Sequence, residues 1–192
     1  MPDLLRYLSH PQVRVDPAIA VPDWGLSDPG RVRAERASRS DALADTSRIF
    51  SSSERKAVET ADIFAAALML TVIQRPATHE NDRSATGFLD AALFEATADR
   101  FFQHPHTSID GWERAIDAQS RIVAAIDDII REHISGDILV VGHGAVGTLL
   151  YCHFAGIPIS RSHDQPPGGG HFFTIDLAGL KPLHPWRPME QM

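Results

Sequence analysis

Cys152 is the single cysteine of the chain, so no disulfide can close within it, and its apolar neighbours Leu149, Leu150 and Phe154 give it a packing role. Long hydrophobic runs are missing as well. The longest wholly apolar stretch, from Ile63 to Leu70, falls far short of the ~20 residues a membrane span needs, which predicts no membrane partner. The opening Met1-Pro2-Asp3 has no basic n-region and leads directly into an apolar strand, so a cytoplasmic location is expected. Positive charge is scarce: 18 Lys and Arg face 25 Asp and Glu, a formal net charge of −7 that argues against nucleic acid as a partner. A small anion would have to find a local basic pocket. Ten histidines are present, but without compact HxxxH or CxxC spacing, so no metal site is expected and His104-Pro105-His106 reads as a solvated loop. No repeat and no compositional break divides the chain. Its 192 residues, 43% hydrophobic, are expected to form one domain over 1–192 with a full core.

What is present is an alternation of strand-like and helix-like segments, which predicts a three-layer αβα sandwich around a mostly parallel sheet. Leu4 to Leu8 reads as a buried first strand, followed by a loop through Pro11, Pro17, Pro22 and Pro29. Ser27-Asp28-Pro29 is a helix start, and that helix is expected to reach about Ala44. Ser47 to Ser51 gives a second strand. From Glu54 to about Leu70, Ala57, Ala61, Phe64, Ala65 and Leu68 recur at helical spacing. Thr71 to Ile73 is a short third strand, and Ala77 to Thr86 is a polar loop holding Glu80, Asp82 and Arg83. A helix or a pair of short helices is expected over Phe88–Phe102, and a longer helix over Asp110–His133, where Trp112, Ala115, Ile122, Ile126 and Ile129 share a stripe. Asp137 to Gly142 is a strand and Ala145 to Phe154 the helix leaving it. His171 to Leu177 alternates after Pro166-Pro167-Gly168-Gly169-Gly170 and is expected to be an edge strand, with an irregular tail over 182–192.

Two of the apolar runs stop at a histidine, His10 and His143, and a third, Ile49-Phe50, stops at Ser51-Ser52-Ser53-Glu54-Arg55-Lys56. In an open parallel sheet the strand ends converge on one crevice, so this pattern predicts a basic pocket with paired histidines. Gly142-His143-Gly144-Ala145-Val146-Gly147 formally matches the dinucleotide fingerprint. Only 45 residues follow (192 − 147), too few for further βα units, and Asp164 does not end an apolar strand. What survives is a helix N-terminus, Gly144 included, that offers amides to an anion. An unprotonated imidazole can attack phosphorus, given donors around the equatorial oxygens and an acid for the leaving alkoxide. His10, His143, Arg14, Arg55, Lys56 and Glu80 are the candidates for these parts. The pocket walls are expected from Trp24, Phe88 and the loop before the 110–133 helix.

Five blocks follow in order: Ser9-His10-Pro11; Leu26-Ser27-Asp28-Pro29-Gly30; Ser51 to Ala61; His79-Glu80-Asn81-Asp82; and Val140-Val141-Gly142-His143-Gly144. Over nearly the whole chain they resemble the histidine phosphatase superfamily, which includes cofactor-dependent phosphoglycerate mutases and many broad phosphomonoesterases. The family's own blocks read Arg-His-Gly, Leu-Thr-x-x-Gly, Ser-Ser-x-x-x-Arg-Ala-x-x-Thr-Ala, an acidic loop, and a strand ending in His-Gly. The resemblance implies a phosphoglycerate mutase-like fold and hydrolysis of a small phosphorylated substrate through a phosphohistidine, with no metal and no cofactor. It implies His10 as phosphate acceptor, His143 as its phosphate-binding partner and Glu80 as proton donor, with Asp82 the alternative donor.

Two positions depart from that pattern. The arginine before the nucleophile is Ser9, and the arginine before Ala57 is Lys56, with Arg55 one position earlier. Lysine keeps the charge but loses the bidentate fork, and serine loses the charge altogether. The expected phosphate-binding set is therefore Lys56, Arg55, Arg14, Ser9 and Gly144, and Ser9→Arg would tighten binding if the missing guanidinium left a vacancy. Arg6, on the same strand face as Leu8 and His10, is a further cation nearby. A relative that binds a phosphorylated ligand without turnover, and a mutase, are the alternative functions, and a homodimer stays open.

Overall fold

The computed structural model describes residues 3–192. Its centre is β1 (Leu4–Ser9), which pairs in parallel with β4 (Asp137–Gly142) on one side and antiparallel with β5 (His171–Asp176) on the other. Beyond β4 lie β2 (Thr46–Ser51) and β3 (Val72–Gln74), both parallel, which completes the mostly parallel sheet the sequence implied. β6 (Lys181–Pro182) and β7 (Arg187–Pro188) pair with β5.

Both faces of this sheet are covered, so its central strands are apolar without alternation. Because successive side chains point to opposite faces, Leu5, Tyr7, Ile138 and Val140 pack toward α4 (Ala115–Arg131) and α5 (Gly144–Ala155). Leu8, Leu139 and Val141 pack toward α1 (Asp28–Ala37) and α2 (Arg55–Leu68). The remaining helix, α3 (Ala91–Gln103), adds Phe101 and Phe102 to the first of these cores. The result is the three-layer αβα sandwich. Among the described residues no helix is long and apolar enough to cross a membrane.

Helix ends differ from the sequence expectation wherever local polar groups compete for the backbone. α1 stops at Ala37 rather than Ala44: Ser38 caps it, and the Ser40 hydroxyl, accepting from the Ala42 amide, starts a separate turn over Asp41–Leu43. α3 begins at Ala91 rather than Phe88, because the Asp90 carboxylate caps the Leu93 amide. α4 begins at Ala115, not Asp110, since Asp110 and Gly111 adopt left-handed φ values of 51° and 83° that a helix cannot accommodate. Trp112 is thereby moved from the helix stripe into the turn that precedes it.

The C-terminal third corrects two expectations. β5 is not an edge strand: β1 flanks it on one side, β6 and β7 on the other, and His171 to Ile175 are all buried. The tail over 182–192 is not irregular either. Trp186 packs edge-on against Phe173 at 4.8 Å and lies 6.1 Å from Tyr7, while Met189 is fully buried in the core beneath α1 and α2. The tail closes the sheet with two short strands and supplies core that the sequence pattern, being rich in proline, does not reveal.

Candidate active site

β1 and β4 end side by side, and this brings His10 and His143 together. Ser9 is in register with Gly142, and the His10 amide donates to the Gly142 carbonyl at 3.0 Å. The two imidazoles meet edge to face with centroids 5.4 Å apart. His10 Nδ1 donates to the Pro11 carbonyl at 2.8 Å, a contact that only the Nδ1–H tautomer can make, so Nε2 keeps its lone pair. Burial, together with the nearby charge of Lys56, lowers the His10 pKa to about 4, so the ring is neutral at pH 7. The loop that closes over it needs glycine: Gly169 has φ of 62°, and a Cβ there would lie 2.4 Å from the His10 carbonyl oxygen. Arg33 of α1 holds that loop, donating to the Gly169 and Gly170 carbonyls and pairing with Glu190.

His143 is fully buried at the start of α5. Its backbone amide donates to the Tyr7 hydroxyl at 3.1 Å, and that hydroxyl donates to the His143 carbonyl at 3.2 Å. Nε2 lies 2.7 Å from Ser52 Oγ and 3.5 Å from Glu54 Oε1, while Nδ1 is buried without a hydrogen-bond partner. Burial pushes its pKa well below the ordinary value, with Glu54 opposing and His10, Lys56 and Arg83 reinforcing the shift. The glycines of the dinucleotide-like turn have another cause. A Cβ on Gly142 would meet the Tyr7 hydroxyl at 2.3 Å, and one on Gly147 would meet Tyr7 and Trp186 at 2.5 and 2.7 Å.

Glu80 occupies the anion-binding end of α5. Its carboxyl accepts from the Val146 amide at 3.0 Å and the Ala145 amide at 3.3 Å. Burial nevertheless raises its pKa, outweighing Arg83 and the helix amides. Arg121 of α4 fixes the segment by donating to the Ala77, His79 and Glu80 carbonyls. Asp82 is exposed, is held below the usual carboxylate range by hydrogen bonds from Ser84, and does not line the cavity that holds His10.

The expected cations are placed less simply. Lys56 is buried, but its ammonium is engaged by the Glu54 carboxylate and by the Val21 carbonyl at 2.9 Å. Arg55 is turned outward to Glu59, and Arg14 is exposed on the loop after β1; neither reaches the cavity. Arg6 is committed to Asp137 at the opposite end of the sheet. Ser9 is fully buried, its hydroxyl donating to Gln165 Oε1 at 2.5 Å and accepting from the His171 amide at 3.0 Å, so that hydroxyl is committed to protein partners. Gly144 does line the cavity, and a Cβ there would collide with Gln165 Nε2 at 2.2 Å.

His10, Glu80 and Gly144 open onto a cavity of about 640 Å³. Its far wall is Phe94, Phe101 and Trp112, not Trp24 or Phe88, which pack on each other elsewhere at 5.9 Å. The loop expected before a 110–133 helix contributes no residue to this wall, and Trp112 reaches it from the turn that replaces the first part of that helix. Arg83 lies across this wall, 4.9 Å from the Phe94 ring and 5.9 Å from that of Trp112, and makes no ion pair among the described residues. Asn81 is 4% exposed and its Nδ2 has no partner. Glu54, Asn81 and Arg83 were not among the expected site residues. Arg83 could have been suspected three positions after Glu80, and Glu54 from a carboxylate standing two residues before a lone lysine.

Residues 15–177 match the family model described as histidine phosphatase superfamily (branch 1). The matched stretch begins after His10 and ends before Trp186. Among solved structures, Bacillus stearothermophilus YhfR is 23% identical, with a TM-score of 0.79 and 95% of each chain covered. A mycobacterial glucosyl-3-phosphoglycerate phosphatase is 18% identical, with a TM-score of 0.78 and 96% of each chain covered. The phosphoserine phosphatase of Entamoeba histolytica, solved with 3-phosphoglyceric acid, is 13% identical, with a TM-score of 0.78 over 99% of this chain and 100% of that one. These likenesses establish the shared fold. A search of curated proteins found no match to the sequence.

Proposed function

The chain belongs to the histidine phosphatase superfamily, and from that premise we propose that it is a phosphomonoester hydrolase working through a phosphohistidine on a small phosphorylated substrate. The observation that carries this reading is the convergence of a neutral His10, with a free Nε2 lone pair, and a carboxyl with a raised pKa, Glu80, on one cavity. His10 Nε2 attacks phosphorus, the bond from phosphorus to the ester oxygen breaks, and protonated Glu80 gives its proton to the departing oxygen. Water then attacks the phosphohistidine, returning a proton to Glu80 and releasing phosphate and free His10. Glu80 suits the acid role better than Asp82, whose pKa is lowered rather than raised. His143, Asn81 and the Gly144 amide supply donors for the equatorial oxygens, and Arg83 supplies the charge that neither Ser9 nor Arg14 provides.

A second reading is a relative that binds a phosphorylated ligand with little turnover. Its support is Glu54, which occupies the ammonium of Lys56 beside the two histidines. A turnover assay on a panel of phosphomonoesters with EDTA present separates the two. Release of phosphate from any ester, lost in His10→Ala, supports the hydrolase. Ligand binding without release from any ester supports the second reading.

A further inference from the structure

The electrostatics of this pocket contain one buried carboxylate that phosphate hydrolysis does not require. Glu54 sits in the turn between β2 and α2 with its side chain 11% exposed. Its Oε1 accepts from the Glu80 amide at 2.9 Å and lies 3.5 Å from His143 Nε2, and its Oε2 engages the ammonium of Lys56. Burial alone would raise its pKa, but the Lys56 ammonium and the Glu80 amide hold it below the usual range, so it is ionised. Lys56 is thereby neutralised. The groups facing His143 are Glu54, Lys56, His10 and Arg83, with Glu80 seated on the same helix end. With Lys56 compensated and both imidazoles neutral, Arg83 is the one cavity-lining cation without an ion pair among the described residues.

We propose that Glu54 is a positioning residue that makes His143 take up a proton when a doubly charged oxyanion binds. The geometry supplies both halves of this. His143, whose ring lies 5.4 Å from that of the cavity-lining His10, has a buried Nδ1 with no partner, and its Nε2 has a hydroxyl and a carboxylate within reach. A doubly protonated ring would donate at Nδ1 to the ligand and at Nε2 toward Ser52 and Glu54, which acts as its counter-ion. The bound anion adds the second negative neighbour that makes the imidazolium favourable. Free enzyme therefore holds His143 neutral, and the ligand charges it. This inference rests on the oxyanion pocket proposed above.

The test is calorimetry of sulfate binding, because sulfate stays a dianion from pH 5 to 9 and carries no proton of its own. Titrations in buffers of different ionisation enthalpy count the protons taken up per sulfate. The wild-type protein is expected to take up close to one proton near pH 7, its affinity falling about tenfold per pH unit above that. Glu80→Gln and His10→Asn remove the other groups that could accept this proton and should leave the uptake in place. Glu54→Gln uncovers Lys56 and deprives His143 of its counter-ion, so sulfate should bind with less than half the uptake and a flatter pH dependence. Sulfate binding by the wild type without proton uptake, or undiminished uptake in Glu54→Gln, overturns the inference while leaving the pocket intact. No sulfate binding at all overturns the oxyanion pocket and this inference with it. If Glu54→Gln does not fold, the wild-type proton count decides alone.

Discussion

Glu80→Gln isolates the general acid. The glutamine keeps the side-chain length, but its amide can satisfy only one of the two α5 amides that the carboxyl now accepts from, at 3.0 and 3.3 Å. That costs about 1 kcal/mol of stability, too little to unfold the protein. The chemical effect is larger, since glutamine has no proton to give. A positioned general acid contributes ~10²–10⁴-fold, or about 3–5 kcal/mol of barrier, when the leaving oxygen is a poor one. An alkyl phosphate should lose that much in its first turnover, whereas p-nitrophenyl phosphate, whose leaving group departs as the anion, should lose little. The pH profile adds a second readout. Wild-type rates on alkyl esters should fall at low pH as His10 protonates near 4, and fall again at high pH as Glu80 ionises from its raised pKa. In Glu80→Gln the alkaline fall should vanish from the first turnover. Rapid-quench kinetics on both ester classes measures this. Equal losses on both, or an alkaline limb that persists, would refute Glu80 as the acid.

Stability should follow pH in a defined direction. The His10 pKa is depressed from 6.5 to about 4, so the neutral form is favoured in the fold. Its contribution is intact above pH 6.5 and is lost as pH falls from 6.5 to 4, by up to about 3 kcal/mol. Urea unfolding of His10→Ala should be correspondingly flatter across that window, and an unchanged slope would contradict the burial argument. Ser9→Arg should lower the melting temperature without tightening phosphate binding, because Gln165 and His171 already surround the Ser9 hydroxyl; calorimetry showing a gain in affinity would restore the vacant-guanidinium idea. Trp186→Ala should destabilise the protein by about 3–5 kcal/mol in chemical denaturation, as loss of a packed core aromatic. A negligible change would mean that the tail is not part of the core.

The strand ends were the legible part of this site. A short apolar run that stops at His10, another at His143 and a third at Ser51 can converge only if the strands are parallel neighbours, and β1, β4 and β2 are. Glu80 was placed by its family block, and the cavity receives it. Much of the rest depended on contacts that local pattern does not encode. Nothing around Trp186 announces that it packs beneath α5 against Tyr7 and Phe173, because tertiary burial of one side chain leaves no period. The expected edge position of β5 failed for the same reason, since strand order depends on the distant partner β1. Charge was the least readable quantity. Lys56, Arg55 and Arg14 are cations in sequence, but one is neutralised by Glu54, one is paired outward with Glu59 and one stays exposed, while Arg83 from another loop crosses the cavity wall.

The central claim is covalent, and it is tested by trapping the intermediate. Protein mixed with p-nitrophenyl phosphate and quenched in alkali, where phosphohistidine survives, can be digested and its phosphopeptide located by mass spectrometry. The account predicts a phosphoryl group on the peptide carrying His10, larger in amount in Glu80→Gln, where the base for the water step is missing, and absent in His10→Ala. Turnover that continues in His10→Ala, or a phosphoryl group found on His143 instead, would contradict it.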